Sequence, residues 1–396
     1  MKLGELVCIR TGRLDANQAV ENGRYPFFTC AADPLRIDAW QYDCECVLVA
    51  GNCNPYVSYY NGKFNAYQRV YIIEVQEEDR LYAKYLYYFL KLYMERSTDR
   101  QHGAIEKFFH LSDFTEIDID FPSVEEQRLV ADSLWTIDRK IALNRKRIAT
   151  LEAMAKEIYD YWFVQFDFPD AHGRPYKSSG GAMVYNPDLK REIPKGWEVK
   201  SINDCGEFFR GVAYSHEDEK QCGENVVLVM RGNNIKSGHI VDDSDRVFID
   251  KAIVGQDQLM TKFSVLFAMS SGSKEHVGKT AVYYDYPAMA AYGAFCSKYV
   301  PSDSYRYFMF NFLSSSTYRA FVKRICGGTG INNMKEEYFN VPLFALPGDI
   351  GQVRKFNELT ATIYAQVYNC TQEMSKLMSL RDFLLPLLMN GQVKVA

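Results

Sequence analysis

The sequence predicts an α+β protein in which two mixed α/β domains are separated by a pair of long antiparallel coiled-coil helices. Three observations predict it. The chain has 396 residues, enough for two or three domains. One layout recurs at a spacing of about 225 residues, as expected of an internal duplication. Each copy ends in apolar residues at alternating steps of four and three, sustained over about 40 residues, far past an ordinary globular helix.

Residues 1–122 form the first mixed domain, with strand patterns at Cys46-Val47-Leu48-Val49 and Arg69-Val70-Tyr71-Ile72-Ile73 and a helical stretch from Leu81 to Met94. Phe121-Pro122 closes it. Ser123 with Glu126 three residues on reads as a capping box, so the first long helix spans 123–165. Its seam is Val130, Leu134, Ile137, Ile141, Ile148, Leu151, Ala155, Ile158 and Trp162, with Asn144 at the one polar position. Residues 166–192 carry Pro169, Gly173, Pro175, Gly180, Gly181 and Pro187 and read as a polar linker.

The second domain spans 193–346 and includes the strand pattern Ser264-Val265-Leu266-Phe267. The second helix spans 347–392. Its seam is Val353, Phe356, Thr360, Ile363, Val367, Cys370, Met374, Leu377, Arg381, Leu384 and Leu388, displaced by 226 residues from the first. A helix of this length, roughly 60 Å at 1.5 Å per residue, needs a partner, and neither seam is broken before Pro386. The economical arrangement packs one seam against the other.

Composition narrows the function. With 47% hydrophobic and 24% charged residues the chain is not disordered. The longest apolar run, Phe383 to Met389, contains Pro386 and is too short for a membrane span. Glu5, Arg10 and Arg13 interrupt any secretory signal. Ten Cys show no CxxC pair and no His at zinc spacing, which implies reduced thiols, a cytoplasmic protein and no structural metal. A net charge of -4 means that any nucleic-acid binding must come from local basic surfaces.

Catalytic motifs fail on spacing. Gly272 to Thr280 ends in Gly278-Lys279-Thr280, but five residues separate the glycines where a phosphate loop has four. The Ala281-Val282-Tyr283-Tyr284 that follows favours a strand over the helix such a loop requires. Asn54-Pro55-Tyr56 lacks the second proline of an amino-methylation tetrapeptide and reads as a turn. Asp188, Glu198 and Lys200 match a nuclease metal triad only loosely. Six His without HExxH or GxSxG leave hydrolase readings unsupported. No catalytic residue is expected, and the chain is expected not to be an enzyme.

Basic and aromatic residues recur instead. Arg306, Arg319, Lys323, Arg324 and Lys335 occur with no acid from Ser304 to Lys335. Arg80, Lys84, Lys91, Arg96, Arg100 and Lys107 interleave with Tyr82, Tyr85, Tyr87, Tyr88 and Tyr93. Such stretches can neutralise phosphates locally, or be solvated helix faces. The turns carry groups suited to base edges: Asn52, Asn54, Asn61, Lys63, Asn65, Gln68 and Arg69 in the first domain, Arg231, Asn233, Asn234 and Lys236 in the second, with Ser273, Lys274, His276 and Lys279 in a further loop. Asn also simply makes turns. The two sets differ, so the domains should read different half-sites. On the helices, Arg139, Lys140, Arg145, Lys146 and Arg147 suit either phosphate contact or solvation.

This layout resembles the specificity subunit of type I restriction-modification systems. The residues that carry the resemblance are Tyr25-Pro26-Phe27-Phe28, Phe121-Pro122 with Glu125-Glu126-Gln127-Arg128, Ile193-Pro194-Lys195-Gly196-Trp197 and Leu384-Leu385-Pro386, in that order along the chain. Gly351-Gln352 departs from the usual Glu-Gln pair at the second helix start. The resemblance implies two target-recognition domains, each binding half of a split double-stranded DNA site. It also implies two methyltransferase subunits docked on the helices, and separate restriction and motor subunits. S-adenosylmethionine, ATP and Mg²⁺ would then sit on those partners and none on this chain. The competing reading is a non-DNA coiled-coil scaffold or adhesin with two repeated globular heads.

Overall fold

A computed structural model describes residues 1–51, 56–99, 109–241, 246–272, 275–285, 289–326 and 332–395. Six helices are named along it: α1 (Ala83–Asp99), α2 (Leu111–Thr115), α3 (Val124–Tyr159), α4 (Arg306–Ser314), α5 (Ser316–Ile325) and α6 (Ile350–Met389). The chain divides into two compact units, one of Met1–Ile141 with Leu377–Ala396 and one of Ala142–Lys376. The division falls within both long helices and not at their ends, because each unit builds part of both helices into its own core.

The first unit holds a six-stranded sheet: β1 (Val7–Thr11), β2 (Tyr25–Phe28), β3 (Leu35–Ile37), β4 (Tyr42–Ala50), β5 (Val57–Ala66) and β6 (Val70–Val75). Their order across the sheet is β1-β6-β4-β5-β2-β3, antiparallel except where β2 runs parallel to β5. The central β4 alternates its side chains between two buried faces. Cys46 and Leu48 join Phe28, Phe64 and Ile72 on one face. Val47 and Val49 join Ile73 on the other, under Leu86, Leu90 and Met94 of α1, Val130, Ala131 and Leu134 of α3, and Leu385 and Leu388 of α6.

The capping box is present at the start of α3. Ser123 Oγ accepts from the Glu126 amide (3.4 Å), and Glu126 accepts from the Ser123 amide (3.3 Å). The next residue matters more. Gln127 is fully buried; its amide nitrogen donates to the carbonyls of Arg80 and Pro122 (2.9 Å each), and its oxygen accepts from the Tyr82 amide (2.9 Å). It fixes the approach to α1 against the start of α3.

The second unit carries two four-stranded sheets. One orders Gly206–Arg210, Cys296–Pro301, Val265–Ala268 and Thr280–Val282; the other orders Glu219–Lys220, Phe248–Asp250, Val226–Met230 and Ala290–Tyr292, with the last pair parallel. The first of these packs on an aromatic core: Phe267, Tyr299, Phe308, Phe312, Tyr318 and Phe339 cluster with Trp162 and Phe163, and with Val353, Phe356, Ile363, Val367 and Cys370 of α6.

In each unit the two long helices run in opposite directions. In the first, Asp138 of α3 meets Arg381 of α6 (2.9 Å), while Val130 and Leu134 share a cluster with Leu385 and Leu388. In the second, Asn144 donates to Glu373 (3.0 Å) and Trp162 packs on Phe356 (5.7 Å between rings). Of the seam residues, Leu134, Ile141, Ile148, Ile363 and Val367 are buried, and Ile137, Leu151, Ile158, Met374, Leu377 and Leu384 are half-buried.

Three stretches differ from the sequence reading. The regular part of α3 ends at Tyr159, and Asp160–Val164 follow as a π turn that buries Trp162 and Phe163. At the start of α6, Asp349 replaces the missing acidic cap by accepting from the Gly351 amide (2.9 Å). The supposed linker is ordered: Phe166 and Phe168 are buried, Phe168 stacks between Tyr176 and Trp197 (4.7 and 5.1 Å), and Met183–Asn186 pairs with Arg191–Pro194. Proline and glycine set its turns, but the aromatics anchor it.

Two outcomes are expected. Gln127→Ala would strand one buried N–H and leave two carbonyls short of a donor, lowering stability by about 2–4 kcal/mol, read as an earlier unfolding transition in denaturant. Asp167 accepts from the Ser178 hydroxyl and amide (2.7 Å each), which holds its carboxyl below the usual range. That stabilisation is complete above the ordinary Asp value of about 3.9 and is lost as pH falls through the depressed native value. Asp167→Asn should therefore flatten the loss of thermal stability below about pH 4.

Candidate nucleic-acid interface

In the first unit the polar turn residues separate into two places. Asn61 and Lys63 lie within β5, opposite Glu45 and Asp43 of β4, and the Lys63 ammonium sits over the ring of half-exposed Trp40 (4.5 Å). Gln68 and Arg69 are exposed in the turn between β5 and β6. That turn borders the end of β4, since the Arg69 carbonyl accepts from the Gly51 amide (2.8 Å). Asn65 belongs to neither set. It is buried, accepts from the Ala66 amide (3.1 Å) and donates to the Ala39 carbonyl (3.4 Å), so it holds a turn and cannot reach a base. Asn52 and Asn54 lie outside the described residues.

In the second unit Arg231–Asn234 form a tight turn. Asn234 is buried; its oxygen accepts from the Arg231 amide (2.9 Å) and its nitrogen donates to the Val241 carbonyl (3.0 Å). Like Asn65, it is structural. Asn233 and Lys236 are exposed and Arg231 is half-buried. His276 Nδ1 and the Lys279 ammonium are 2.6 Å apart, and Lys279 also lines a cavity of about 440 Å³ with Glu152, His239 and Asn311. Ser273 and Lys274 lie outside the described residues.

The basic stretches are partly consumed by the fold. Arg319 donates to the Val277 carbonyl (2.8 Å) and to that of Glu275, bracing the loop below it; Arg306 pairs with Asp303. Lys323 and Arg324 remain exposed in the last turn of α5. On α1, Lys84 pairs with Asp132 (3.1 Å), and Tyr85 and Tyr88 are buried while Tyr93 is exposed, burial pushing the Tyr85 phenol up to about 12. That helix is mainly core. Arg100 and Lys107 lie outside the described residues. The helix cations Arg139, Lys140, Arg145, Lys146 and Arg147 are exposed.

The catalytic near-matches are not assembled. Thr280–Val282 is a strand, so no helix follows Gly278-Lys279. Lys200 pairs with Glu198 (3.7 Å) on a strand bound to Phe344–Pro347, and Asp188 sits in a turn held by Asn186. Among the described residues no group of three or more His, Cys, Asp or Glu could hold a metal ion. No helix among them is long and apolar enough to cross a membrane.

Sequence reasoning missed the turn Gly293–Cys296, closed by the Cys296 amide on the Gly293 carbonyl (2.8 Å). Its Phe295 is 74% exposed. The Gly293 amide donates to the Met230 carbonyl (2.9 Å), which seats this turn beside Arg231. Nearby, Ser270 pairs with exposed Asn333. A Gly-Ala-Phe step between two strand patterns was the available signal.

Residues 1–153 match the family described as the type I restriction modification DNA specificity domain. Over 156 residues the chain is 36% identical to the EcoDI type I restriction enzyme specificity subunit of Escherichia coli, covering 39% of this chain and 34% of that protein. That match takes in about a third of the relative's length. Over 323 residues it is 26% identical to the MjaIX specificity subunit of Methanocaldococcus jannaschii, covering 80% and 71%. The fold is similar to the crystal structure of a type I S subunit from M. genitalium, with a TM-score of 0.58 at 16% identity over 98% and 95% of the two chains. Residues 1–153 thus match a type I restriction modification DNA specificity domain, and the chain as a whole is similar to type I specificity subunits in sequence and in fold.

Proposed function

We propose that the chain recognises an asymmetric bipartite duplex DNA site, one half-site per unit, and recruits methyltransferase subunits without catalysing a step itself. The observation that carries this reading is that each unit has its own α+β body, seated on its own portion of α3 and α6, with its own set of exposed loops. Gln68 and Arg69 in the first unit, and Arg231, Asn233 and Lys236 in the second, differ in kind and order. Different donor and acceptor patterns select different base pairs, so the two half-sites are unlike.

The helices supply the rest of the proposal. Exposed Arg139 and Lys140 in the first unit, and Arg145, Lys146 and Arg147 in the second, contact phosphates between the half-sites, which positions the chain without reading sequence. Exposed apolar side chains on the same helices, Leu129 and Phe383 in the first unit and Leu143 and Leu359 in the second, suit docking of the methyltransferase subunits. S-adenosylmethionine, ATP and Mg²⁺ belong to those subunits and to the restriction and motor subunits.

Gel shifts at two salt concentrations test the DNA reading. With six or more phosphate contacts, affinity for duplex DNA is expected to fall by about a thousandfold or more between 50 and 200 mM salt; a salt-independent or absent shift would favour a scaffold. Removing one heptad from each long helix should alter the gap between half-sites and leave both half-site sequences intact, as read by mapping methylated adenines. An unchanged gap would end the role of the helices as a spacer.

A further inference from the structure

We propose that Phe295 is a specificity-determining residue of the second unit that packs against the 5-methyl group of one thymine in the major groove. The inference rests on the reading of the chain as a DNA-recognition subunit and deepens it at one side chain. An aromatic ring that is 74% exposed at the tip of a closed four-residue turn gains nothing from the fold. The turn itself is held firmly. Gly293 bridges Val212 on one side and binds the Met230 carbonyl on the other, while the Phe295 carbonyl accepts from the amides of Met269 (2.9 Å) and Ser270 (3.2 Å).

The segments next to this turn are polar. Arg231 begins the adjoining turn, directly after the Met230 carbonyl that Gly293 binds; burial pushes the Cys296 thiol up to about 12, with Arg231 opposing it. Asn233 is exposed in the same turn, and Asn333 is exposed on the strand beside Ser270. Arg210 ends the strand that runs into Val212, pairing loosely with Glu336 (3.6 Å). A guanidinium and two amides on segments tied by backbone hydrogen bonds to the Phe295 turn make a mixed patch: the polar groups suit guanine and adenine edges, and the ring suits the single apolar feature of the major groove, the thymine methyl. A protein partner that covers the ring would have to satisfy those polar groups as well.

The test uses the full chain and a random-sequence duplex pool. Selection on the wild-type chain gives the bipartite sequence; each thymine of the second half-site is then replaced singly by deoxyuridine, which removes only the methyl. At one position the wild-type chain is expected to lose about fourfold in affinity, the transfer value of one methyl. Phe295→Ala should bind the thymine duplex about as weakly as wild type binds the deoxyuridine duplex, with no further loss on deoxyuridine, and Phe295→Leu should keep the sensitivity. Penalties for changes in the first half-site should be unaltered, and a side chain this exposed can be removed without shifting the melting temperature. Overturning results are a second half-site without thymine, equal deoxyuridine sensitivity in wild type and Phe295→Ala, or a Phe295→Ala loss with a wild-type chain indifferent to deoxyuridine. Failure of the pool to enrich any sequence would overturn the DNA reading itself and this inference with it.

Discussion

Water forbids a long helix with one bare apolar stripe. Helices α3 and α6, 36 and 40 residues long, are too extended to hide their seams by folding back and would be marginal alone. Each unit resolves this by enclosing its own portion of both. In the first, the seam residues Val130, Leu134, Leu385 and Leu388 lie in one cluster with β4 and α1. In the second, Ile148, Ala155, Ile363 and Val367 are continuous with the aromatic core around Phe308 and Tyr318. The helices are therefore part of each unit's body, and a sheet that lost them would expose its own core face.

Apolar seams pack well but slide easily, so the polar interruptions carry the register. Arg381 occupies a seam position, and its side chain is only 16% exposed. Asp138 answers it and also accepts from the Tyr88 hydroxyl (2.6 Å) of α1. A shift of either helix would leave a charge poorly solvated and unpaired, at a cost of several kcal/mol. Asn144 and Glu373 do the same for the second unit with a neutral donor. Such pairs contribute less to net stability than to the uniqueness of one alignment.

The helices were legible because period and capping are local properties: the four-three step and Ser123 with Glu126 are written in consecutive residues. The role of Gln127 was not, since a helix-forming Gln looks the same whether it is solvated or fully buried against Arg80 and Tyr82. Proline and glycine marked 166–192 as a linker, while the anchoring Phe166 and Phe168 were outweighed by their polar neighbours. The candidate site was legible only as a list of residue types. Asn65 and Asn234 proved to be turn amides, Arg306 the partner of Asp303 and Arg319 a brace on the Val277 and Glu275 carbonyls, because whether a polar group faces solvent or another group is set by the folded chain around it. Phe295 was missed for the converse reason: no local pattern marks an aromatic that the core leaves outside.

The second unit also shows how an exposed loop can be made stiff. The Arg231–Asn234 turn runs directly into the hairpin of Ile235–Lys236 with His239–Ile240, and His239 lies 3.4 Å from the Glu152 carboxylate of α3. Burial lifts the Glu152 carboxyl above its ordinary range, with His239 opposing the effect. On its other side the turn is tied to Gly293 through the Met230 carbonyl. A loop braced from a helix and from a neighbouring turn has little freedom left to lose on binding, so more of its contact energy appears as affinity and discrimination. The same bracing couples α3 to this loop: a displacement of its Glu152 face would be felt, through one side chain and a two-strand hairpin, at Arg231 and Asn233.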